Sequence, residues 1–452
     1  MLLLLNRGRA SRQCPRRLAR RETVFRKLLA NHAVESGEVV NGKSTRGKAY
    51  PRPDERQPCL AARRRQKLAR SAHAYVRGSA ALFYQWLDAQ KAGALPEGPA
   101  IWIGGDCHLG NLGPVSNAAG HVAVQMRDLD NSVIGNPLHD LLRLGLSLTT
   151  AARSADLPGV ISSSVIEALA DGYEQAFDDT RGDITSSTKR PAVVKIAMEE
   201  AEHRSWQKMD RQTIDNTKPA IPLGKRFWPL SDDERVAIHA LFETEPTRSL
   251  IRSALTRASD ASSTKVTVLD AAFWVKGCSS LGRRRYAVLL DIDGTCWKGR
   301  PPCLVDIKEA VGSEAPRQDD ACMPRDNAKR VVEGARHLAP MLGDRMVAAR
   351  LDGAAVVIRE LMPEDLKLDA ENLPEEDAVK AAHFLALVIG QAHARQMDSG
   401  TRQAWLDELK KGRPRTLSSP AWLWRSIVEL MVTHERAYLE HCRRYALDRR
   451  LR

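Results

Sequence analysis

Apolar positions along the chain follow two periodicities. Short apolar runs at residues 101–103, 122–126, 285–290, 304–308 and 354–358 read as strands. Longer stretches repeat every three to four residues. Residues 60–90 carry a broad apolar face of Ala72, Tyr75, Val76, Ala80, Leu82, Phe83 and Trp86. Leu138, Leu141, Leu142, Leu144 and Leu146 begin another helix, and residues 160–177, 191–208, 232–242, 327–338, 377–397 and 422–445 read the same way. Helices outnumber strands, so the pattern predicts a helix-rich α+β fold with a small antiparallel sheet. Four segments follow: a basic and then Gly, Pro and polar-rich stretch 1–60, expected to be poorly ordered; a helical region 61–265; a sheet region 266–365; and C-terminal helices 366–452.

Polar residues at the strand ends carry the candidate chemistry. Asp106 and Asn111 lie five apart in a loop after the run 101–103, and Asp128 ends the run 122–126. Phosphoryl transfer from a nucleotide asks little covalent chemistry of a protein. One carboxylate orients the attacking hydroxyl, while an amide oxygen and a second carboxylate hold magnesium against the phosphates. Asp106 fits the first role, and Asn111 and Asp128 the other two. Asp140 is placed to brace the loop backbone by hydrogen bonds. Asp130 reads equally as a satisfied turn residue, His108 as a loop cap, and Cys107 as a small packed side chain.

The segment Gly104-Gly105-Asp106-Cys107-His108-Leu109-Gly110-Asn111, with Asp128 through Gly135, Pro137, Asp140 and Leu141, resembles the catalytic and metal loops of aminoglycoside and choline phosphotransferases. Those belong to the protein-kinase-like superfamily. AYVRGSAAL, GDCHLGNLG and KRVVEGARHL resemble, more closely, the bacterial family catalogued as domain of unknown function 2252. Gly104 departs from the phosphotransferase pattern, which usually has His there. The resemblance implies a two-lobed kinase-like fold, ATP and Mg2+ as cofactors, and a small hydroxyl-bearing substrate.

A kinase also needs a glycine-rich hairpin over the phosphates, a lysine on a following strand and a helix glutamate to fix it. Nothing suitable precedes residue 100. Gly277, Ser279, Ser280 and Gly282 supply a hairpin candidate, Lys308 the lysine, and Glu333 its partner, with Glu309 on the opposite face of the strand. Glu360 would lead into the adenine-binding linker. The order of parts is inverted relative to ordinary kinases, so the expected fold is circularly permuted, which is tolerable when native termini are close together at the surface.

Three rival motifs compete. Residues 37–44 match the phosphate-binding pattern GxxxxGK[ST], but Gly47, Pro51 and Pro53 follow, where that loop needs a helix. Asp291 and Asp293 in an apolar strand followed by DxDGT resemble the nucleophile motif of haloacid-dehalogenase-like phosphatases; a turn and another strand follow, where a helix is needed. Asp106, His108, His139 and Asp140 partly match a binuclear metallophosphoesterase, without its later histidine pairs. A nucleotide-binding pseudokinase and a nucleotidyltransferase would use the same pocket as a kinase.

Charge looks at first like a nucleic-acid signature, at +13 for 452 residues. It is localised instead. Residues 1–27 hold nine basic residues against Glu22, and residues 443–452 hold five against Asp448, which leaves +1 for the middle. The basic ends could meet an anionic partner, but specific nucleic-acid binding is not expected. Lys218, Lys225 and Arg226 offer a second place for an anionic substrate. Eight cysteines without CxxC spacing fit a reducing cytoplasm. No run of 18 apolar residues predicts a membrane span.

Overall fold

Proline and cap chemistry decide where several helices begin. Helix α1 (Pro53–Leu68) starts on a proline at its first position, with Asp54 and Glu55 in its first turn and Arg65 and Lys67 in its last. Proline is pre-organised there and the charges complement the helix dipole. The stretch expected to be poorly ordered up to residue 60 is therefore helical from Pro53 onward: Pro53 opens this helix. A computed structural model describes residues 50–117, 121–155, 157–178, 190–203, 220–244, 247–248, 265–278, 280–294, 302–318, 321–361, 375–411, 413 and 419–445. The 37–44 motif, Lys218, Ser279 and both basic ends other than Arg443 and Arg444 lie outside the described residues.

The single helical pattern expected over 60–90 is broken into α1, α2 (Ala72–Arg77) and α3 (Ala80–Asp88). Ser71 caps α2 by accepting from the Ala74 amide. Strands β1 (Ile101–Ile103) and β4 (Val133–Gly135) pair antiparallel, as do β2 (Leu112–Ser116) and β3 (Val122–Met126). Helix α4 (Leu138–Ser154) follows. Fourteen of its 17 residues are buried, which makes it a central element covered on all sides. Around it pack α2, α5 (Gly159–Gln175), α10 (Glu375–Ala394) and α12 (Ala421–Tyr445). Helices α5 and α10 approach so closely that a Cβ at Gly172 would lie 2.1 Å from the His383 carbonyl oxygen.

A six-stranded antiparallel sheet forms the other half of the unit spanning residues 51–452. Its strands are β5 (Phe227–Trp228), β6 (Val266–Trp274), β7 (Arg285–Ile292), β8 (Cys303–Glu309), β9 (Met346–Leu351) and β10 (Ala354–Glu360), in the spatial order β5-β6-β7-β8-β10-β9. Between β8 and β9 the chain forms α8 (Asn327–Leu338), which packs on β9 and β10, and the short α9 (Pro340–Gly343). Asp326 caps α8 through the Ala328 and Lys329 amides. Helices α6 (Ala192–His203), α7 (Asp232–Glu243) and α11 (Ser399–Lys410) complete twelve α-helices among the described residues. Because β5 joins the large sheet, the sheet half draws on residues well before 266.

Candidate functional site

The loop after β1 is held from beneath. Asp140, fully buried at the start of α4, accepts hydrogen bonds from the Gly104 amide at 2.7 Å and the Gly105 amide at 2.9 Å. Gly105 has a φ of +70°, and a Cβ there would lie 2.1 Å from the Asn131 carbonyl oxygen. Only glycine fits. Tyr84 donates its hydroxyl to the Gly105 carbonyl at 2.6 Å. His393 Nε2 lies 3.2 Å from Asp140 Oδ2, and Tyr173 Oη lies 2.8 Å from His393 Nδ1. The carboxylate can only accept, so Nε2 carries the imidazole proton and Tyr173 donates to Nδ1. A buried imidazole beside this loop thus comes from α10, near the other end of the chain, while Gly104 has no side chain to offer.

Asp106 follows, and only 6 % of it is exposed. Burial pushes its carboxyl above the ordinary range, and Arg143 partly opposes that rise. Arg143 Nε donates to Asp106 Oδ1 at 2.9 Å, and its Nη2 donates to the Val76 carbonyl. Sequence reasoning missed Arg143, although it lies three residues after Asp140 on a helix and so shares its face. His108 is buried, and desolvation with Arg77 and Arg143 nearby keeps it well below its usual pKa and therefore neutral. Asn111 Nδ2 donates to the Asp106 carbonyl at 3.0 Å, which turns its amide oxygen toward other partners. The Arg127 amide donates to the Asn111 carbonyl at 2.8 Å, at the end of the β2–β3 hairpin. Asn111 and Asp128 therefore emerge together.

Lys308 on β8 reaches this point from the sheet. Its Nζ lies 3.0 Å from Asp128 Oδ1 and 2.7 Å from Asp130 Oδ2, and Arg283 Nη1 lies 3.0 Å from the same Asp130 oxygen. Burial raises the Asp128 carboxyl, but Lys308, Arg285 and Arg359 outweigh it and hold the group well below the carboxylate range. Asp130 moves up, through burial and the charge of Asp128. Two residues before Lys308, on the same strand face, Asp306 is clasped by Arg285 (2.8 Å) and Arg359 (3.3 Å). Arg359 also donates to the Arg127 carbonyl at 3.1 Å. These groups enclose a cavity of about 40 Å³. No group of three His, Cys, Asp or Glu suited to a metal occurs among the described residues. One carboxylate with one amide oxygen is nonetheless the sparse set with which Mg2+ is held when phosphates complete its shell.

A family described as "Uncharacterized protein conserved in bacteria (DUF2252)" matches residues 56–444. The chain belongs to this family. The match begins inside α1, ends inside α12 and takes in every residue of the cleft just described. No curated protein and no solved structure matches the chain.

Several residues that sequence reasoning assigned to the site of this DUF2252 member sit elsewhere. Glu333 does not fix Lys308; it faces Arg336 at 3.4 Å and His337 at 3.9 Å on its own helix and is 38 % exposed. Arg330 occupies the inner side of α8 instead, donating to the carbonyls of Asp130, Ser132 and Val311. Lys308 finds its carboxylates in the loop, at Asp128 and Asp130. Glu309 accepts from the Arg284 amide at 3.0 Å. Glu360 is buried with Cys303 Sγ 3.4 Å from Oε1, and Arg345 donates to its carbonyl at 3.1 Å. Gly277 and Gly282, at φ +104° and +107°, bound a turn drawn onto α1, where Lys67 donates to the Gly277 carbonyl and Gln57 to that of Gly282. Ser280 is buried within this turn.

The rival positions are also placed. Asp291 lies at the far end of β7, six residues from Arg285, which pairs with Lys308; that is about 20 Å along a strand. Asp293 closes a turn with φ 58° and accepts from the Lys265 amide. Lys225 and Arg226 lie at the edge of the large sheet, where their carbonyls accept from Arg63 and the Val275 amide. No helix among the described residues is long and apolar enough to cross a membrane.

Proposed function

We propose that the chain is an ATP-dependent phosphotransferase of permuted, two-lobed kinase-like architecture, passing a γ-phosphoryl group to a hydroxyl of a small molecule held at Asp106. One observation carries the reading. Lys308 and Asp128, 180 residues apart in the chain, meet at 3.0 Å across a cleft between the sheet and the helical half. A phosphate-binding lysine and a metal-binding carboxylate must converge in this way for phosphoryl transfer. The position of Lys308 on β8, the third strand of the run β6–β10, with α8 between the third and fourth, agrees with the order the reading requires.

The residues have separable tasks. Asp106, raised by burial, is a better proton acceptor than a solvated carboxylate. Arg143 occupies its Oδ1, so Oδ2 would meet the acceptor hydroxyl. Asp128 and Asn111 would hold Mg2+, which when bound neutralises charge developing on the phosphates. Lys308 would then exchange its carboxylates for phosphate oxygens. Asp140 holds the loop through Gly104 and Gly105, as a backbone brace and not a reacting group.

The test uses ATP labelled at the α or γ position, with magnesium, on wild type and on Asp106→Asn, Asp128→Asn and Asp291→Asn. Loss of the general base at Asp106 typically costs about 10²–10⁴-fold, and Asp128→Asn removes the carboxylate that would hold Mg2+, so both variants should lose γ-label transfer while Asp291→Asn keeps it. Loss in Asp291→Asn alone would favour the phosphatase reading. Label arriving from the α position would mark nucleotidyl transfer, and tight binding without any turnover would mark a nucleotide-binding regulator.

A further inference from the structure

Charge on the α2 side of the Asp106 loop is unbalanced. Arg143 spends its charge on Asp106 and its Nη2 on the Val76 carbonyl. Arg77, the next residue along α2, makes no ion pair with a carboxylate among the described residues. Its guanidinium lies against the loop itself: a Cβ on Gly110 would sit 2.9 Å from Arg77 Nε and 3.0 Å from its Cζ. Glycine at that position leaves the room. Arg77, Gly110 and Asn111 are all half-buried, so the guanidinium is not sealed away from solvent as Arg143 is.

Four buried side-chain atoms here have no hydrogen-bond partner among the described residues: His73 Nδ1, Arg77 Nε, His108 Nδ1 and Arg143 Nη1. Their mutual influence marks them as one group. After burial, the charge of Arg77 does most to lower the pKa of both imidazoles, and Arg143 lowers both as well; His73 falls to about 4 and His108 well below its usual value. Two neutral rings cannot answer the charge of Arg77. Orphaned polar atoms are rare in a packed interior, and each asks for a bound partner. The partner that suits a guanidinium without a carboxylate is an oxyanion, which its fork holds through paired hydrogen bonds. Asp106 does not repel such a group strongly, because Arg143 already neutralises it.

We infer that the acceptor carries an anionic group, a carboxylate or a phosphate, which Arg77 holds beside Gly110 while the acceptor hydroxyl meets Asp106. The inference rests on the phosphotransferase reading of the same site and deepens it by naming the acceptor class: hydroxy acids and phosphorylated alcohols. Holding the molecule at two points fixes its hydroxyl relative to the carboxylate, which is where positioning contributes to the rate.

Titration calorimetry of the full chain with inorganic phosphate and with acetate tests it. At least one of the two should bind saturably, and the tighter names the group. Arg77→Met, which removes no hydrogen bond of the described fold, should weaken that anion by about tenfold or more, the effect of losing a hydrogen bond to a charged group. Arg77→Lys should recover part of the loss, and Gly110→Ala, which pushes the end of the guanidinium off the loop, should weaken the anion while the chain still folds. Arg283→Met, on the Lys308 side at Asp130, should leave the affinity unchanged. Absence of saturable binding by either anion, unchanged affinity in Arg77→Met, or loss in Arg283→Met instead would overturn the inference. The two readings fail separately. If wild type transfers γ-label but anion binding ignores Arg77, the inference falls alone; if anion binding depends on Arg77 but no label is transferred, the anion site stands and the phosphotransferase reading falls.

Discussion

Arg143→Met removes the counter-charge of Asp106 while filling most of the same space. The pair is close, at 2.9 Å, and both side chains are nearly inaccessible, at 1 % for Arg143 and 7 % for Asp106. Solvent screening is therefore slight, and breaking one side of such a pair costs about 3–5 kcal/mol. Part of the loss is independent of pH: the bond to the Val76 carbonyl and the contact of the guanidinium with the Phe83 ring disappear at any pH. The charge part is not. Asp106 already binds its proton more tightly in the folded chain than a free carboxyl does, chiefly through burial, and loss of Arg143 strengthens that preference. A group whose folded pKa is raised favours the folded state below its unfolded pKa, and the advantage is lost as pH rises through the folded value. The unfolded value is the same for both chains and cancels, so the variant's deficit should grow as pH rises through the raised folded value of wild-type Asp106 and level off above the still higher value in the variant. Urea unfolding of wild type, Arg143→Met, Asp106→Asn and the double variant at pH 5 and pH 8 measures it. The two deficits should not add, and the Arg143→Met deficit should be larger at pH 8. An equal deficit at both pH values, or additive single and double variants, would refute the coupling of this pair.

Asp140→Ala strands the Gly104 and Gly105 amides and His393 in a fully buried site; at about 1–3 kcal/mol for each unsatisfied donor, the loss should exceed about 3 kcal/mol in denaturant unfolding. Gly105→Ala forces a Cβ to within 2.1 Å of a carbonyl oxygen at φ +70°, so it should cost at least as much as a strained left-handed residue, about 1–3 kcal/mol, and slow the proposed phosphoryl transfer by shifting Asp106. Glu333→Gln should change magnesium-ATP affinity less than twofold in a binding titration, because Glu333 pairs with Arg336 and not with Lys308. Lys308→Met should weaken that affinity by about tenfold or more, and its stability deficit should shrink as pH falls from the variant's Asp128 value toward the depressed wild-type one, since Lys308 favours only the ionised carboxylate.

Much of the local structure was legible in residue order, because it depends on short-range rules. Residues 327–338 read as a helix from their apolar spacing, and that is where α8 runs. The runs at 101–103 and 122–126 became β1 and β3 unchanged. The spacing from Asp106 to Asn111, to Asp128 and to Asp140 follows from loop lengths between consecutive strands and the next helix, so the sequence also showed which polar residues share one end of those elements. Family membership was equally readable, in stretches such as GDCHLGNLG.

Pairings over long separations were not. Which acid would meet Lys308 could not be read from β8, where Glu333 was the expected partner and Glu309 points to the opposite strand face; packing of α8 onto β9 and β10 turned Arg330 inward and left Glu333 half outside, and Asp128 and Asp130 meet the lysine instead. Arg143, His393 and the Asp306 triad were invisible for the same reason. Each is an ordinary residue in its own element, and only burial beside a partner 37, 253 or 53 residues away gives it a role. Periodicity thus determined the elements and the order of candidate groups. Tertiary packing, which alone sets the distance and dielectric between charges, decided which of those groups act on one another.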